Sequence, residues 1–452
     1  MNALFAAAAL LPGGWARNVL LDWDDAGTLR RVEPGSTESV GMARVNGVLL
    51  PGMPNLHSHA FQRALAGLTE YRAAAQDSFW TWRDLMYRFA RLLSPDELED
   101  IATHLYVEML CCGYTSVCEF HYLHHDPAGR PYADPAEMSL RLVRAAQRAG
   151  IGLTMLPVLY QHSGFGALPA REDQRRFILG VDGLLRIVEA LRAQGMRTGV
   201  APHSLRAVAP AALAELLDAM NRLDATAPVH IHVAEQLQEV RDCQAWSGQR
   251  PLQWLLDHAP VDARWCLVHA THLDDAERAA ARSRGAVVGL CPTTEANLGD
   301  GVFDATAWRG AWGIGSDSHA SVDAAEELRL LEYTQRLAQR QRNVLADATR
   351  PGVAESLWLS AVAGGAQAAG RPVAGLAPGQ QADFVVLADA LLGGLTPAQQ
   401  LATHLFASHR RATVREVWVG GRCRVQNGQH AGAQAAAEGF VAARGRLLAE
   451  LG

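Results

Sequence analysis

Histidines and acidic residues stand at the ends of short apolar runs along this chain, where nonpolar neighbours solvate them poorly. One run closes on Pro54-Asn55-Leu56-His57-Ser58-His59 and a later one on Pro202-His203. The next reads His230-Ile231-His232-Val233-Ala234-Glu235, followed by Val268-His269 and Gly315-Ser316-Asp317-Ser318-His319. Residues two apart on extended backbone project to the same side, so His57 pairs with His59 and His230 with His232. Paired imidazoles are costly to bury unsatisfied, and they suit a metal. His57, His59, His232 and Asp317 together offer three imidazoles and one carboxylate. That borderline-soft set fits one Zn²⁺, with Fe²⁺ or Mn²⁺ as the alternatives. By parity either His230 or His232 could be the ligand. His232 lies nearer the end of its run and precedes Glu235 by three residues, so it is the expected ligand and His230 the expected core residue.

A zinc ion lowers the pKa of a coordinated water toward ~7 and so supplies hydroxide at neutral pH. Asp317 can accept a proton from that water, and His269 can hydrogen-bond and orient it. Glu235 is placed to pass a proton to a substrate nitrogen. The expected catalytic residues are therefore Glu235, His269 and Asp317. The competing explanation for Glu235 is a helix-start carboxylate favoured by the dipole. Attack on a C=N carbon needs no protein nucleophile, and the sequence shows no credible serine or cysteine elbow. His104, His124, His125, His258, His404 and His430 read as structural or solvated.

Such residues need a scaffold that brings distant strand ends together. Strand patterns fall at Leu49–Asn55, Thr115–Phe120, Gly152–Leu159, Thr198–His203, Pro228–Ala234, Trp265–Ala270, Ala286–Cys291 and Gly313–Asp317. Helical stretches such as Pro210–Leu223 and Asp274–Arg284 lie between most of them. Eight βα units predict an α/β fold, a closed (β/α)₈ TIM-like barrel whose chemistry sits at the C-terminal strand ends. An open doubly wound sheet would usually show a glycine-rich phosphate turn after its first strand, and none is present. Strand-like runs at 15–22, 48–50, 383–388 and 414–426 predict a small flanking β-sandwich domain built from both chain ends. The expected division is 1–50 with 370–452, including a C-terminal helix over 432–450, around a barrel at 51–369.

The chain has 452 residues, 49% of them hydrophobic, and a net charge of −6. That charge leaves no basic excess for nucleic acid. All 41 residues counted as Lys+Arg are arginine. Without lysine there can be no Schiff-base or P-loop lysine and no carboxylated lysine bridging two metals, so one metal is the natural count. The 7 cysteines form no CxxC pair and read as reduced thiols. The opening apolar run, MNALFAAAALLPGG, has no positive charge before it, which disfavours an export signal. No stretch reaches the ~18 apolar residues of a membrane span. A cytoplasmic protein without membrane or nucleic-acid partners is expected.

With these positions the chain resembles the amidohydrolase superfamily: His57-Ser58-His59 on the first strand, His232 on the fifth, His269 on the sixth and Asp317 on the eighth. Within it the strings PGMPNLHSHAFQRALAGLTE, SFWTWRDLMYR, APHSLRAV and HIHVAEQ resemble the formimidoylglutamate deiminase family of histidine degradation. The resemblance implies hydrolysis of N-formimidoyl-L-glutamate to N-formyl-L-glutamate and ammonia, with one Zn²⁺ held by His57, His59, His232 and Asp317. It also implies a homodimer.

A dianionic substrate requires fixed positive donors, for which arginine is the bidentate choice. After the first strand come Arg63, Arg72, Arg83 and Arg88 amid Phe79, Trp80 and Trp82. By resemblance Arg83 and Arg206 are the expected carboxylate clamps and Tyr122 a hydroxyl donor. Gln62 and His203 are expected at the formimidoyl end or the glutamate. The alternative activity is an aminohydrolase of a nucleobase or other heterocyclic ring, with an aromatic slot in place of paired arginines. A non-catalytic assembly protein is disfavoured because such relatives usually lose ligands.

Overall fold

The computed structural model describes residues 2–38, 42–70, 79–407 and 413–451, with backbone only at 79–81. Eight parallel segments form its centre: Met53–Ser58, Tyr114–His121, Gly152–Leu159, Arg197–Thr198 with Ala201–Pro202, Val229–Val233, Trp265–His269, Val287–Leu290 and Trp312–Ile314. They pair in chain order within two sheets. Parallel bridges between Val200 and Val229 and between Ser58 and Asp317 join the two sheets and close the ring. The result is the expected (β/α)₈ barrel. Its strands are buried on both faces, which explains why they read as continuous apolar runs rather than alternating ones.

The helices between the strands lie outside. Two carry reciprocal caps that fix where they begin: Ser94 with Glu97 for Pro95–Cys111, and Asp274 with Glu277 for Asp275–Ser283. Helix Val353–Ala369 packs against Met53–Ser58 and Trp312–Ile314 and covers the base. On Trp312–Ile314, Gly313 is required by close packing, because a Cβ there would stand 2.6 Å from Leu56 and 2.8 Å from the backbone of Gly365.

A nine-stranded sheet is assembled from both chain ends: Asn2–Leu11, Gly14–Trp23, Leu29–Glu33, Ala43–Arg44, Val48–Pro51, Phe384–Leu387, Val414–Val419, Arg422–Gln426 and Gln429–His430. Two features differ from the sequence reading. The opening apolar run carries a strand that the sequence reading lacks: Asn2–Leu11 forms an antiparallel hairpin with Gly14–Trp23, with Leu4, Ala6 and Ala9 in the core of this sheet. The stretch 49–55 is also not one strand. It breaks at Gly52, where the chain passes from the end sheet into the barrel. A Cβ at Gly52 would lie 2.4 Å from Thr115, and its N–H is held by the Asp383 carbonyl at 3.0 Å. Helix Ala433–Leu451 lies against Pro95–Cys111, with Phe440 stacked on His104 at 4.5 Å and Arg446 paired to Glu97 at 3.1 Å.

Candidate active site and metal centre

The first strand ends with His57 and His59 side by side, their Nε2 atoms 3.2 Å apart. The end of the fifth strand adds His232 Nε2 at 3.0 Å from His57 Nε2. Just beyond the eighth strand, Asp317 Oδ1 lies 3.4 Å from His57 Nε2 and 3.2 Å from His59 Nε2. All four donor atoms fall within 4.8 Å of one another, and all four residues are buried. Metal–ligand bonds of about 2.0–2.2 Å in a tetrahedron place neighbouring donors about 3.3–3.6 Å apart, so the spacing suits a single cation. The tautomers agree as well. His59 Nδ1 donates to the Phe120 carbonyl at 2.8 Å and His232 Nδ1 to the His203 carbonyl at 3.0 Å. In the neutral rings this turns both Nε2 lone pairs toward the common centre.

Burial pushes His57 down to about 3, the Asp317 carboxylate only partly offsetting it. Burial also holds His232 well below its ordinary value, and the neighbouring imidazoles add to the effect. Asp317 itself lies well below the carboxylate range. Burial would raise it, but its hydrogen bonds and charge interactions with His57 and His59 outweigh that. A neutral His57 and a neutral His232 beside an ionised carboxylate are protonation states that suit a divalent cation.

Behind the first strand, Glu119 accepts from Ser58 Oγ at 2.6 Å, Tyr106 Oη at 3.0 Å and the Ala60 N–H at 2.7 Å. Burial raises Glu119 to about 7 against these bonds. His319 Nε2 lies 3.2 Å from the same serine hydroxyl, and its Nδ1 lies 3.0 Å from Ser316 Oγ. His319 therefore supports the ligand strand without joining the donor set.

The proton-handling candidates meet on the open side of the four donors. His269 Nε2 is 3.7 Å from Asp317 Oδ2 and 3.8 Å from Glu235 Oε1. Burial would lower His269, but Glu235, Glu295 and Asp317 together push it up to about 10. Burial raises Glu235 despite the charges of His269 and Arg206. Glu235 does not open the following helix, whose cap is Gln236; it occupies the bend before it. Its backbone N–H and that of Ala234 are held by the Glu239 carboxylate at 3.0 and 3.1 Å. Ala234, His269 and Asp317 all adopt left-handed φ, at 51°, 65° and 47°. Such backbone costs about 1–3 kcal/mol per non-glycine residue and clusters at functional sites.

These groups form one wall of a cavity of about 590 Å³ at the barrel mouth. Gln62, Arg83, Tyr122, His203 and Arg206 all line it. Gln62 Nε2 donates to Tyr122 Oη at 2.8 Å, leaving the buried Gln62 Oε1 without a hydrogen bond. Arg83 stacks on Tyr87 with its guanidinium 5.5 Å from the ring centre. Arg206 Nη2 lies 3.5 Å from Glu235 Oε2, so the expected clamp also touches the expected acid. His203 Nδ1 lies 3.1 Å from Ser204 Oγ. Trp82 lines the cavity too.

The other arginines of that loop are not in the cavity. Arg63 pairs with Glu108 at 2.7 Å and Arg88 is exposed, while Arg72 lies outside the described residues. His230 is buried at the base, bonded through Nε2 to the Ala368 carbonyl at 2.8 Å. Sequence reasoning missed Glu295, which lies 3.3 Å from His269 Nδ1, and the trio Tyr87, Tyr160 and Gln174. Glu295 was findable, because it follows the seventh strand end, Cys291, by four residues. The trio had no signal, since it joins three separate loops and helices.

The chain matches the family model described as "Amidohydrolase family" over residues 48–424. A second model, "Formimidoylglutamate deiminase HutF, N-terminal domain", matches residues 1–41. The chain is 54% identical to the formimidoylglutamate deiminase of Pseudomonas aeruginosa, over 99% of this chain and 100% of that protein. It is 27% identical to a 5-methylthioadenosine/S-adenosylhomocysteine deaminase of Natronomonas pharaonis, over 84% of this chain and 82% of that protein. Among solved structures, an amidohydrolase from Brucella melitensis superposes with a TM-score of 0.94 at 48% identity, covering 99% of this chain and 100% of that one.

Proposed function

The chain belongs to the amidohydrolase family, and we propose that it hydrolyses the amidine C–N bond of N-formimidoyl-L-glutamate, giving N-formyl-L-glutamate and ammonia in histidine degradation. The observation that carries this reading is full-length identity of 54% to a deiminase of that name, joined to the convergence of His57, His59, His232 and Asp317. These four residues would hold one divalent cation, and the imidazole-rich donor set favours Zn²⁺ over Fe²⁺ or Mn²⁺. When bound, the cation supplies Lewis-acid activation of water and stabilises developing negative charge.

The chain's own residues divide the remaining work. The water oxygen adds to the amidine carbon, and Asp317 Oδ2, the oxygen turned toward His269, takes one proton. His269 Nε2 hydrogen-bonds the attacking oxygen and holds its approach. Glu235, which burial keeps protonated above the ordinary carboxylate range, gives its proton to the imino nitrogen. As the tetrahedral carbon collapses, the proton held by Asp317 passes to that nitrogen and the hydroxyl proton returns to the Glu235 carboxylate, which restores both groups. The C–N bond breaks, ammonia leaves and the formyl C=O remains.

Arg83 and Arg206, which line the cavity, would meet the two substrate carboxylates, and Tyr122, Gln62 and His203 would orient the formimidoyl end. The barrel at 51–369 carries the chemistry in this proposal, flanked by a domain of 1–50 and 370–452. The proposal also includes a cytoplasmic homodimer. Seven free cysteines support the location, and size-exclusion chromatography with light scattering tests the dimer.

The decisive test is ammonia release. Turnover of formimidoylglutamate is expected, with none of guanine, cytosine or adenosine. Release from a ring substrate alone would replace this reading with a heterocycle aminohydrolase.

A further inference from the structure

Glu295 is 6% exposed, and the reaction described above gives it no task. It lies in the first turn of the helix Pro292–Leu298 that follows the seventh strand. One of its oxygens, Oε1, makes two contacts. It accepts the Cys291 N–H at 2.8 Å and faces His269 Nδ1 at 3.3 Å. The Glu295 N–H in turn bonds the Cys291 carbonyl at 2.9 Å, so residues 291 and 295 hold each other from both sides. His269 is 1% exposed, and on its far side Nε2 faces Asp317 Oδ2 and Glu235 Oε1.

We infer that Glu295 is a positioning residue for the hydrolytic step: it accepts the Nδ1 proton of His269 and thereby aims Nε2 at the space between Asp317 and Glu235. The inference rests on the role given to His269 above. The physical basis is that an imidazole has two nitrogens and one soft torsion at the ring. An Nδ1–H held by a fixed acceptor sets the ring plane, and so the direction of Nε2, whether the ring is neutral or protonated. His269 itself has left-handed φ, so its backbone alone does not hold the ring as a regular strand residue would be held. A His269 ring nitrogen, Cys291 Sγ and a Glu295 oxygen come within 4.8 Å of one another, the spacing of a possible second ion site. Glu295 Oε1 is already engaged by two N–H groups, which makes the cluster a hydrogen-bonded anchor instead.

The chemistry predicts how substitutions will rank. In E295Q the amide oxygen is kept in place by the Cys291 N–H and still accepts from Nδ1. In E295L the acceptor is gone at similar volume, and in E295D the carboxylate is withdrawn by one methylene. Relative to the parent holoenzyme, E295L is expected to lose ~10²-fold in kcat with KM little changed, as expected for loss of an outer partner. E295Q should keep kcat within about tenfold of the parent and exceed E295D, although only E295D retains the charge. Metal content should stay at one equivalent per chain in all three.

Because Glu295 acts through His269, adding E295L to H269N should cost nothing further. A parent-like kcat in E295L overturns the inference. So does a loss confined to KM, a full additional loss on H269N, or removal of a second metal equivalent. If E295L fails to fold, the order of E295Q against E295D decides the matter, and E295D at or above E295Q rejects the inference. A parent-like kcat in H269N would instead reject the underlying role of His269, which separates the two failures.

Discussion

His230 and His232 sit two residues apart on one strand, point to the same side and are both buried, yet they belong to opposite ends of the barrel. At the base, His230 Nε2 meets the Ala368 carbonyl of the covering helix at 2.8 Å, a neutral bond that satisfies it. Burial alone pushes it down to about 4, with that bond opposing. At the rim, His232 Nε2 meets another imidazole nitrogen at 3.0 Å, with a third and a carboxylate close by. Lone pairs directed at lone pairs make sense only around a cation. The base of this barrel therefore uses its polar residues to satisfy backbone, while the rim leaves them pointed at one another. A histidine becomes a ligand through what faces its second nitrogen, and residue type and parity do not decide that.

The sharpest break of this comparison is to remove one histidine from each end. H232N is expected to lose metal in elemental analysis and at least ~10³-fold in kcat, because a donor is missing from the centre. H230L is expected to keep its metal and near-parental kcat. It should unfold more easily by about 1–3 kcal/mol, the cost of leaving the Ala368 carbonyl buried and unbonded. Loss of metal from H230L would erase the distinction between rim and base.

Within the rim, E235A should keep the metal while kcat falls ~10²–10⁴-fold, the usual range for a general acid–base group. A near-normal kcat would refute the proton-transfer role of Glu235. R206M should chiefly raise KM for the dianion. A smaller fall in kcat should accompany it, because Arg206 also touches Glu235 at 3.5 Å. A neutral amidine should be affected far less, and equal loss on both substrates would argue against a clamp.

At the base, a further effect bears on stability alone and concerns pH. Asp383 is buried, with Oδ1 accepting the Gly420 N–H at 2.7 Å and with Arg371 and Thr115 as its other neighbours. Burial raises it from 3.8 to about 6. A raised acid holds its proton longer in the folded chain than in the unfolded one. Its contribution is therefore complete below pH ~3.8 and is lost as pH climbs through about 6, up to roughly 2–3 kcal/mol. Denaturation midpoints of the parent and D383N, compared from pH 4 to 7, should converge at the acid end and diverge in favour of D383N toward neutrality. A constant difference would refute the assignment.

Much of this was legible beforehand. Each of the eight barrel strands overlaps a predicted run, because strands buried on both faces must be apolar and end abruptly where the rim begins. The four clustered donors were legible for the same reason, since polar residues at such ends have nowhere else to go. One omission and one misreading share a cause. The run at 2–11 and the split at Gly52 depend on which sheet receives an apolar segment, and local composition is alike for both sheets.

Local spacing carries residue type, parity and element length. From these alone came the count of βα units, the absence of any lysine chemistry and the histidines at the strand ends. Contacts between residues far apart in the chain depend on how the strands stagger around the closed ring. Position near the strand end pointed to His232 rather than His230, but only that closure decided that His232 Nε2 meets His57, that Arg206 reaches Glu235, and that Glu295 meets His269 across 26 positions. Side-chain direction at a strand end is set by neighbours from other strands, and no short-range pattern in the chain encodes them.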